Sequence, residues 1–249
     1  MNQGKYIFSQ VMELVSHKVF NACVKRYKGD YKTKQFSCWK QFLCMAFGQL
    51  THRESLSDTI LCLRANAGKL YHMGIGQAIA KSTLSNANES RDCRIFSDIA
   101  MVLIEEAKSL YLNDSDLEVD LKNNVFAIDA TVIDVCLSAF SWAKFRSTKG
   151  GVKVHVQLDL KTAIPEFIQI TSASIHEVNI LDNISFQPDS FYVLDRGYTA
   201  FDKMYTIHKS KAFFIIRAKD NLNFSRISSV PIKKQSGVLC DQTIRLNGY

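Results

Sequence analysis

Near residue 120 the hydrophobic period of this 249-residue chain switches from that of a helix to that of a strand. Before the switch, Ile7, Val11, Leu14, Val15, Val19 and Val24 fall near helical spacing and predict one helix over 7–27. Ser37 is placed to cap a second helix from about Cys38 to Leu50. Ser55 with Asp58 three residues on fits a capping box that opens a third in SLSDTILCLRA. Gly68 and the HMGIG stretch break the pattern. STLSNANESRD then reads as another capped start, leading into the long apolar helix FSDIAMVLIEEAKSLYL. Asp114 to Asp120 forms an acidic connector.

After the connector come five short runs rich in β-branched and aromatic residues: NVFAIDATVIDVCLS, VKVHVQLDL, EFIQITSAS, FYVLDRGY and KAFFIIRAK. Helical candidates, HEVNILDNI and TAFDKMYTIHKS, separate the third from the fourth and the fourth from the fifth. Three strands in a meander followed by strand–helix–strand units predict an α/β fold with a mixed sheet, preceded by an all-helical N-terminal domain. The expected division is a helical domain over 1–75, a helical connector over 76–120 and the sheet domain over 121–249. The last thirty residues, with Pro231, Gly237 and Gly248, suit short strands and turns.

A 47% hydrophobic content can supply one large core or two modest ones, and a net charge of +7 favours an anionic partner without identifying it. The basic excess is larger after residue 120 than before it. Seven cysteines, an odd number, show neither CxxC nor Cys/His zinc spacing, and are expected as reduced, mostly buried thiols. No stretch approaches the roughly 18 apolar residues of a membrane span, and MNQGKYIFSQ lacks a signal-peptide core. The expectation is a cytoplasmic protein.

Two aspartates interrupt otherwise apolar strands, Asp129 in VFAIDATVID and Asp195 in FYVLDRGY. A carboxylate there is costly unless a hydrogen bond, a cation or a metal neutralises it. If the first and fourth strands are neighbours, both could face one cleft and hold Mg²⁺ or Mn²⁺, which suit oxygen ligands. The plainer alternative is a pair of strand-end turn residues, with Asp195 pairing with Arg196 or capping the next helix.

Other polar residues admit two readings in the same way. Lys149 and Lys153 could meet DNA phosphates or line a solvated hairpin edge, which the alternation Lys153, His155, Gln157 suggests. Arg196 could orient a phosphate or satisfy a carboxylate. Lys25, Arg26, Lys28, Lys32 and Lys34, with Tyr27 and Tyr31 between them, could grip a DNA backbone or form an ordinary loop. Ser82, Thr83, Asn86, Asn88 and Arg91 suit either the start of a recognition helix or a polar helix face.

The series AIDATVID, KGGVKVHVQLDL, IPEFIQITSASIHE, FYVLDRGY and FFIIRAKDN, over roughly 125–225, resembles the catalytic core of DDE-type bacterial transposases of the insertion-sequence-four group. That resemblance implies an RNase H-like fold and DNA cleavage and strand transfer by an Asp-Asp-Glu triad on divalent metal. Asp129 matches its first acid and Asp195 its second. The partners implied are double-stranded DNA, as element ends and target, and a second copy of the chain, with the nucleoid as place of work. RYKGDYKTKQFSCWKQFLCMAFGQLTHRESLSD and STLSNANESRD resemble the helical region preceding such cores, where the implied role is binding the element's ends. The family's third acid is a glutamate in a Tyr–Arg–Glu–Lys arrangement after the fifth strand. The last Glu here is Glu177, and 181–249 contains none. The expectation is therefore a chain cut short before that helix and inactive by itself. The alternative is a non-catalytic DNA-binding fragment that regulates the full-length transposase.

Overall fold

The computed structural model describes residues 5–111, 123–135, 144–146, 149–232 and 237–247. The acidic connector 114–120 lies outside them. The chain divides into two compact units, Met1–Ala107 and Lys108–Tyr249.

The first unit is helical: α1 (Ile7–Met12), α2 (His17–Arg26), α3 (Cys38–Leu50), α4 (Leu56–Ala65), α5 (Lys81–Ser90) and the start of α6 (Arg94–Leu110). The single helix expected over 7–27 is two, because Ser16 caps α2, its hydroxyl accepting from Val19 N. The break sends Met12 into a cluster with Leu43, Ile60, Leu63 and Leu84, while Val15 joins Phe20, Cys38, Ile95 and Ile99. Trp39 and Phe42 border both clusters.

Ser37 and Ser55 cap α3 and α4 as their positions predict, accepting from Lys40 N and Asp58 N. Asp58 turns its carboxylate towards Arg53, 3.8 Å away. The start of α5 corrects the sequence reading: Ala80 is the N-cap without a side-chain bond, and Ser82 lies exposed inside the helix. Cys23, Cys38 and Cys44 are buried, Cys62 is half-buried, and Cys93 and Cys240 are exposed, so burial of the thiols is less general than expected. Burial pushes the Cys38 and Cys44 thiols up to about 12, which keeps them protonated. Among the described residues, no helix is long and apolar enough to cross a membrane.

The second unit contains β1 (Val125–Val135), the short β2 (Lys144–Arg146), β3 (Lys149–Asp159), β4 (Ile164–Ser172), β5 (Phe191–Leu194), α7 (Phe201–Lys209) and β6 (Phe213–Ile216). The strands lie in the order β4-β3-β1-β5-β6, with β2 also on β3. β1, β3 and β4 form the antiparallel meander, and β5 and β6 join in parallel. HEVNILDNI winds as a 3-10 helix, Glu177–Asn183. Beyond β6, β7 (Phe224–Val230) and β8 (Asp241–Leu246) form a separate antiparallel ribbon.

The sheet has one covered and one open face. Phe126, Ile128, Tyr192 and Leu194 pack on the covered face with Ile180 and Leu181 of the 3-10 helix and Ile207 of α7. Because Ala130 pairs with His155 and Ile128 with Gln157, the polar series of β3 points to that same covered face. Lys153, His155 and Gln157 are buried. The reading of a solvated hairpin edge is therefore corrected: the valines of β3 occupy the open face instead. There they adjoin Ile168 and Ile170 of β4, which are 43% and 62% exposed.

The side chains of Lys153, His155 and Gln157 each make at least one polar contact. Lys153 Nζ donates to Ile175 O at 2.8 Å and lies 3.3 Å from Glu177 Oε1. His155 Nε2 meets Thr171 Oγ1 at 2.8 Å, and Gln157 Nε2 donates to Glu166 Oε2 at 3.3 Å. Such contacts offset the cost of burying polar groups.

Candidate active site

Ile128 of β1 and Leu194 of β5 are direct neighbours in the parallel ladder, and both face the covered core. Asp129 and Asp195 each follow one residue later, with Asp195 still in extended backbone (φ −74, ψ 163). The two-residue period of a strand turns both to the open face, on strands about 4.8 Å apart. Both are exposed, and among the described residues neither carboxylate has a hydrogen bond or ion pair.

The plainer reading of strand-end turn residues fails for Asp129 and holds for Asp195, which follows the last residue of β5 and opens a 3-10 turn, though without the pairing or cap expected of it. Asp129 is not at a strand end, since β1 runs on to Val135. Asp195 makes no side-chain cap to the 3-10 turn Arg196–Tyr198, and Arg196 is exposed beside it without a carboxylate partner among the described residues.

Behind the turn that carries Asp195 lies a buried polar cluster. A Cβ on Gly197 would stand 3.1 Å from Glu177 Oε2, so glycine there lets Glu177 lie against the turn. Lys153 neutralises Glu177 from the other side. Tyr198, 1% exposed, has no partner for its hydroxyl among the described residues. Burial first, then the carboxylates of Glu177, Asp129 and Asp195, push its phenol well above the ordinary range. The sequence did not single Tyr198 out; its signal there is an aromatic closing the DRGY turn.

His155 is held neutral. The Thr171 hydroxyl donates to Ser172 O, so His155 Nε2 donates to Thr171 and Nδ1 is left without a partner. Burial, then the nearby Lys153 ammonium, lower its pKa; Glu177 acts in the opposite sense. The unfolded chain takes up a proton near the ordinary His value of about 6.5, whereas the folded chain does so at a lower pH. Stability from this group is thus complete above about pH 6.5 and is lost as pH falls from there through the folded pKa. Melting temperatures measured from pH 8 to 5 are expected to drop on the acid side, with a shallower drop in His155→Gln. Equal acid sensitivity in the two proteins would exclude His155 as a cause.

Two carboxylates on neighbouring strands form an oxygen donor set suited to a hard divalent cation. Among the described residues, no group of three or more His, Cys, Asp or Glu is arranged to hold a metal.

The residues expected to touch DNA fall into different situations. Lys153 is buried, with its ammonium engaged by Ile175 O and Glu177. Lys149 lies in β3, and its side chain is outside the described residues. Arg26 is paired with Asp98 at 2.5 Å, although its side chain is 63% exposed. Lys28 and Ser82 are exposed. The Arg91 side chain is only 9% exposed; it donates to Gln41 Oε1 at 2.8 Å and to Phe36 O.

A meander of three antiparallel strands extended by two parallel ones, with one carboxylate on β1 and another just past the end of neighbouring β5, defines an RNase H-like α/β protein. The chain belongs to the transposase DDE domain family, whose model matches residues 120–248. Residues 3–76 match a domain of unknown function, DUF4372. A putative transposase, y4zB, of Sinorhizobium fredii is 27% identical over 66% of this chain and 45% of its own length. A putative transposase for insertion sequence element IS4SA of Synechocystis is 24% identical over 62% of this chain and 44% of its own length. A probable transposase for element IS5377 of Geobacillus stearothermophilus is 24% identical over 45% and 31%. The chain thus spans less than half the length of these curated relatives.

Proposed function

We propose that Asp129 and Asp195 hold Mg²⁺ or Mn²⁺ for cleavage and strand transfer at the ends of an insertion sequence. The observation that carries this reading is that two exposed carboxylates, unpaired among the described residues, each follow one residue after the last rung shared by the adjacent parallel strands β1 and β5. A divalent ion, when bound, supplies an activated water and offsets charge on the transferring phosphoryl group. The chain's own contribution is to hold the acids at strand spacing and to present Arg196, beside Asp195, to a phosphate oxygen. Duplex DNA is the substrate of this reading, two copies of the chain act on the two element ends, and the nucleoid is where it works.

Two carboxylates leave most positions of a six-coordinate ion to water, which keeps affinity low and placement loose. On this reading the chain by itself does not turn DNA over. A second reading is a DNA-binding regulator of a full-length transposase, favoured by the exposed, unpaired lysines of the first unit.

Titration of the chain with Mn²⁺, followed by the ion's electron paramagnetic resonance signal, tests the site. Asp129→Asn and Asp195→Asn are each expected to weaken binding by more than about tenfold. Mn²⁺ affinity that both substitutions leave intact would remove the two residues from the mechanism. Nicking of element-end duplexes in Mn²⁺ separates the two readings, since the regulator binds DNA and leaves it whole.

A further inference from the structure

Asp195 follows Leu194, the last residue of β5, so the direction of its carboxylate is set by the turn Arg196–Tyr198. On one side that turn is held by Tyr198, whose ring joins the buried core and whose N donates to Asp195 O at 3.0 Å. On another side stands Glu177. We propose that Glu177 is a positioning residue for the metal site: held by Lys153, its side chain fills the space that Gly197 leaves and so fixes the turn from which Asp195 meets a divalent ion. The inference rests on the reading of Asp129 and Asp195 as metal ligands, and it adds to the site an acid that is not itself a ligand.

Gly197 is the first sign of this role. Among the described residues the left-handed glycines are Gly74, Gly76 and Gly237, so the turn does not need glycine at 197 for its φ. What it needs is room. A Cβ there would stand 3.1 Å from Glu177 Oε2, closer than ordinary van der Waals contact. A side chain at 197 and the carboxylate of Glu177 compete for one space, and the carboxylate has it.

The mount that carries Glu177 is secured at both ends. Glu177 opens the 3-10 helix Glu177–Asn183. At its start Lys153 Nζ of β3 donates to Ile175 O at 2.8 Å and lies 3.3 Å from Glu177 Oε1. At its finish Asn183 Nδ2 donates to Gln169 Oε1 of β4 at 3.0 Å, and Lys203 of α7 pairs with Asp182 at 2.5 Å. Between the two ends Ile180 and Leu181 are buried in the core. A side chain on so fixed an element can set the position of what it leans against, as the groups that support metal-binding carboxylates do.

Charge explains the need for Lys153. Glu177, Asp129 and Asp195 all act on the Tyr198 phenol, so three carboxylates lie around one buried hydroxyl. Left uncompensated, the charge of Glu177 would repel Asp195 from the place it has to keep. The Lys153 ammonium, on a side chain only 11% exposed, offsets that charge from the far side. With one oxygen at the ammonium and the other at Gly197, Glu177 acts on the ion through Asp195 and not as a ligand.

Mn²⁺ titration of the full chain, read by electron paramagnetic resonance and paired with thermal melts, tests this assignment. Glu177→Ala is expected to weaken Mn²⁺ binding about tenfold, the lower end for loss of a group that supports a metal ligand. Glu177→Gln keeps the shape against Gly197 and is expected to bind within about threefold of wild type. In the Asp195→Asn chain, removing Glu177 should cost no further affinity, whereas in the Asp129→Asn chain it should cost the same factor as in wild type. A side chain that only stabilises the fold would lower the melting temperature without this asymmetry. Equal losses in the two backgrounds, or unchanged Mn²⁺ affinity in Glu177→Ala, would overturn the proposal while leaving both aspartates as ligands. Should Glu177→Ala fail to fold, Gly197→Ala presses the same contact from the other side. It is expected to weaken Mn²⁺ binding severalfold, and unchanged binding there would overturn the proposal as well. A wild-type chain that binds no Mn²⁺ would remove the metal reading and this inference together.

Discussion

Lys153→Met is expected to destabilise the sheet unit by about 3 kcal/mol, at the low end of losses for a broken buried ion pair. The low end applies because the Glu177 side chain is 31% exposed, whereas that of Lys153 is 11% exposed. The substitution keeps most of the side-chain volume but leaves Ile175 O without its donor and Glu177 charged against the Asp195 turn. Lys153→Met/Glu177→Gln is expected to recover a good part of the loss, since the stranded charge goes with the second change. Urea unfolding of the three proteins decides the matter. A single variant as stable as wild type, or a double variant no better than the single, would show that the pair does not brace the turn. A lysine whose main work is at DNA phosphates would instead lose affinity and keep its stability.

Arg91→Ala is expected to cost the helical unit about 3 kcal/mol, because it strips donors from the buried Gln41 and from Phe36 O together. The helical signal in a thermal melt should move well before any change in DNA contacts needs to be invoked. Arg91→Lys is expected to recover only a fraction, because an ammonium cannot reproduce the planar fork of a guanidinium. An Arg91→Ala chain that melts with wild type yet loses duplex binding would restore Arg91 as a direct DNA contact.

Much of this architecture is written in local pattern. The five strands, their order as a meander followed by parallel additions, and the caps at Ser37 and Ser55 follow from period and from short polar side chains at helix starts. What local pattern withholds is which side of a strand turns inward. Alternation in VKVHVQ shows that β3 has two unlike faces, and polarity suggests the wrong one as the buried face. The choice is made by partners distant in sequence: Glu177 for Lys153, Thr171 for His155 and Glu166 for Gln157. The same limit applies in the first unit. Arg91 and the basic loop both read as polar surface, and only packing makes Arg91 a buried tie from α5 to Gln41 and Phe36. Asp129 and Asp195 were legible because a carboxylate inside an apolar run is conspicuous. Tyr198 was not, because a tyrosine after a strand is unremarkable until its buried hydroxyl is found without a partner.

Asp129 is locked between two neighbours, paired with Val156 on one side and one step beyond the rungs to β5 on the other. Asp195 hangs from a turn past the end of its strand, braced by Tyr198 N donating to its carbonyl and by Glu177 leaning on Gly197. One carboxylate is thus fixed by the sheet ladder, while the position of the other follows the turn at Arg196 and Gly197, outside the ladder.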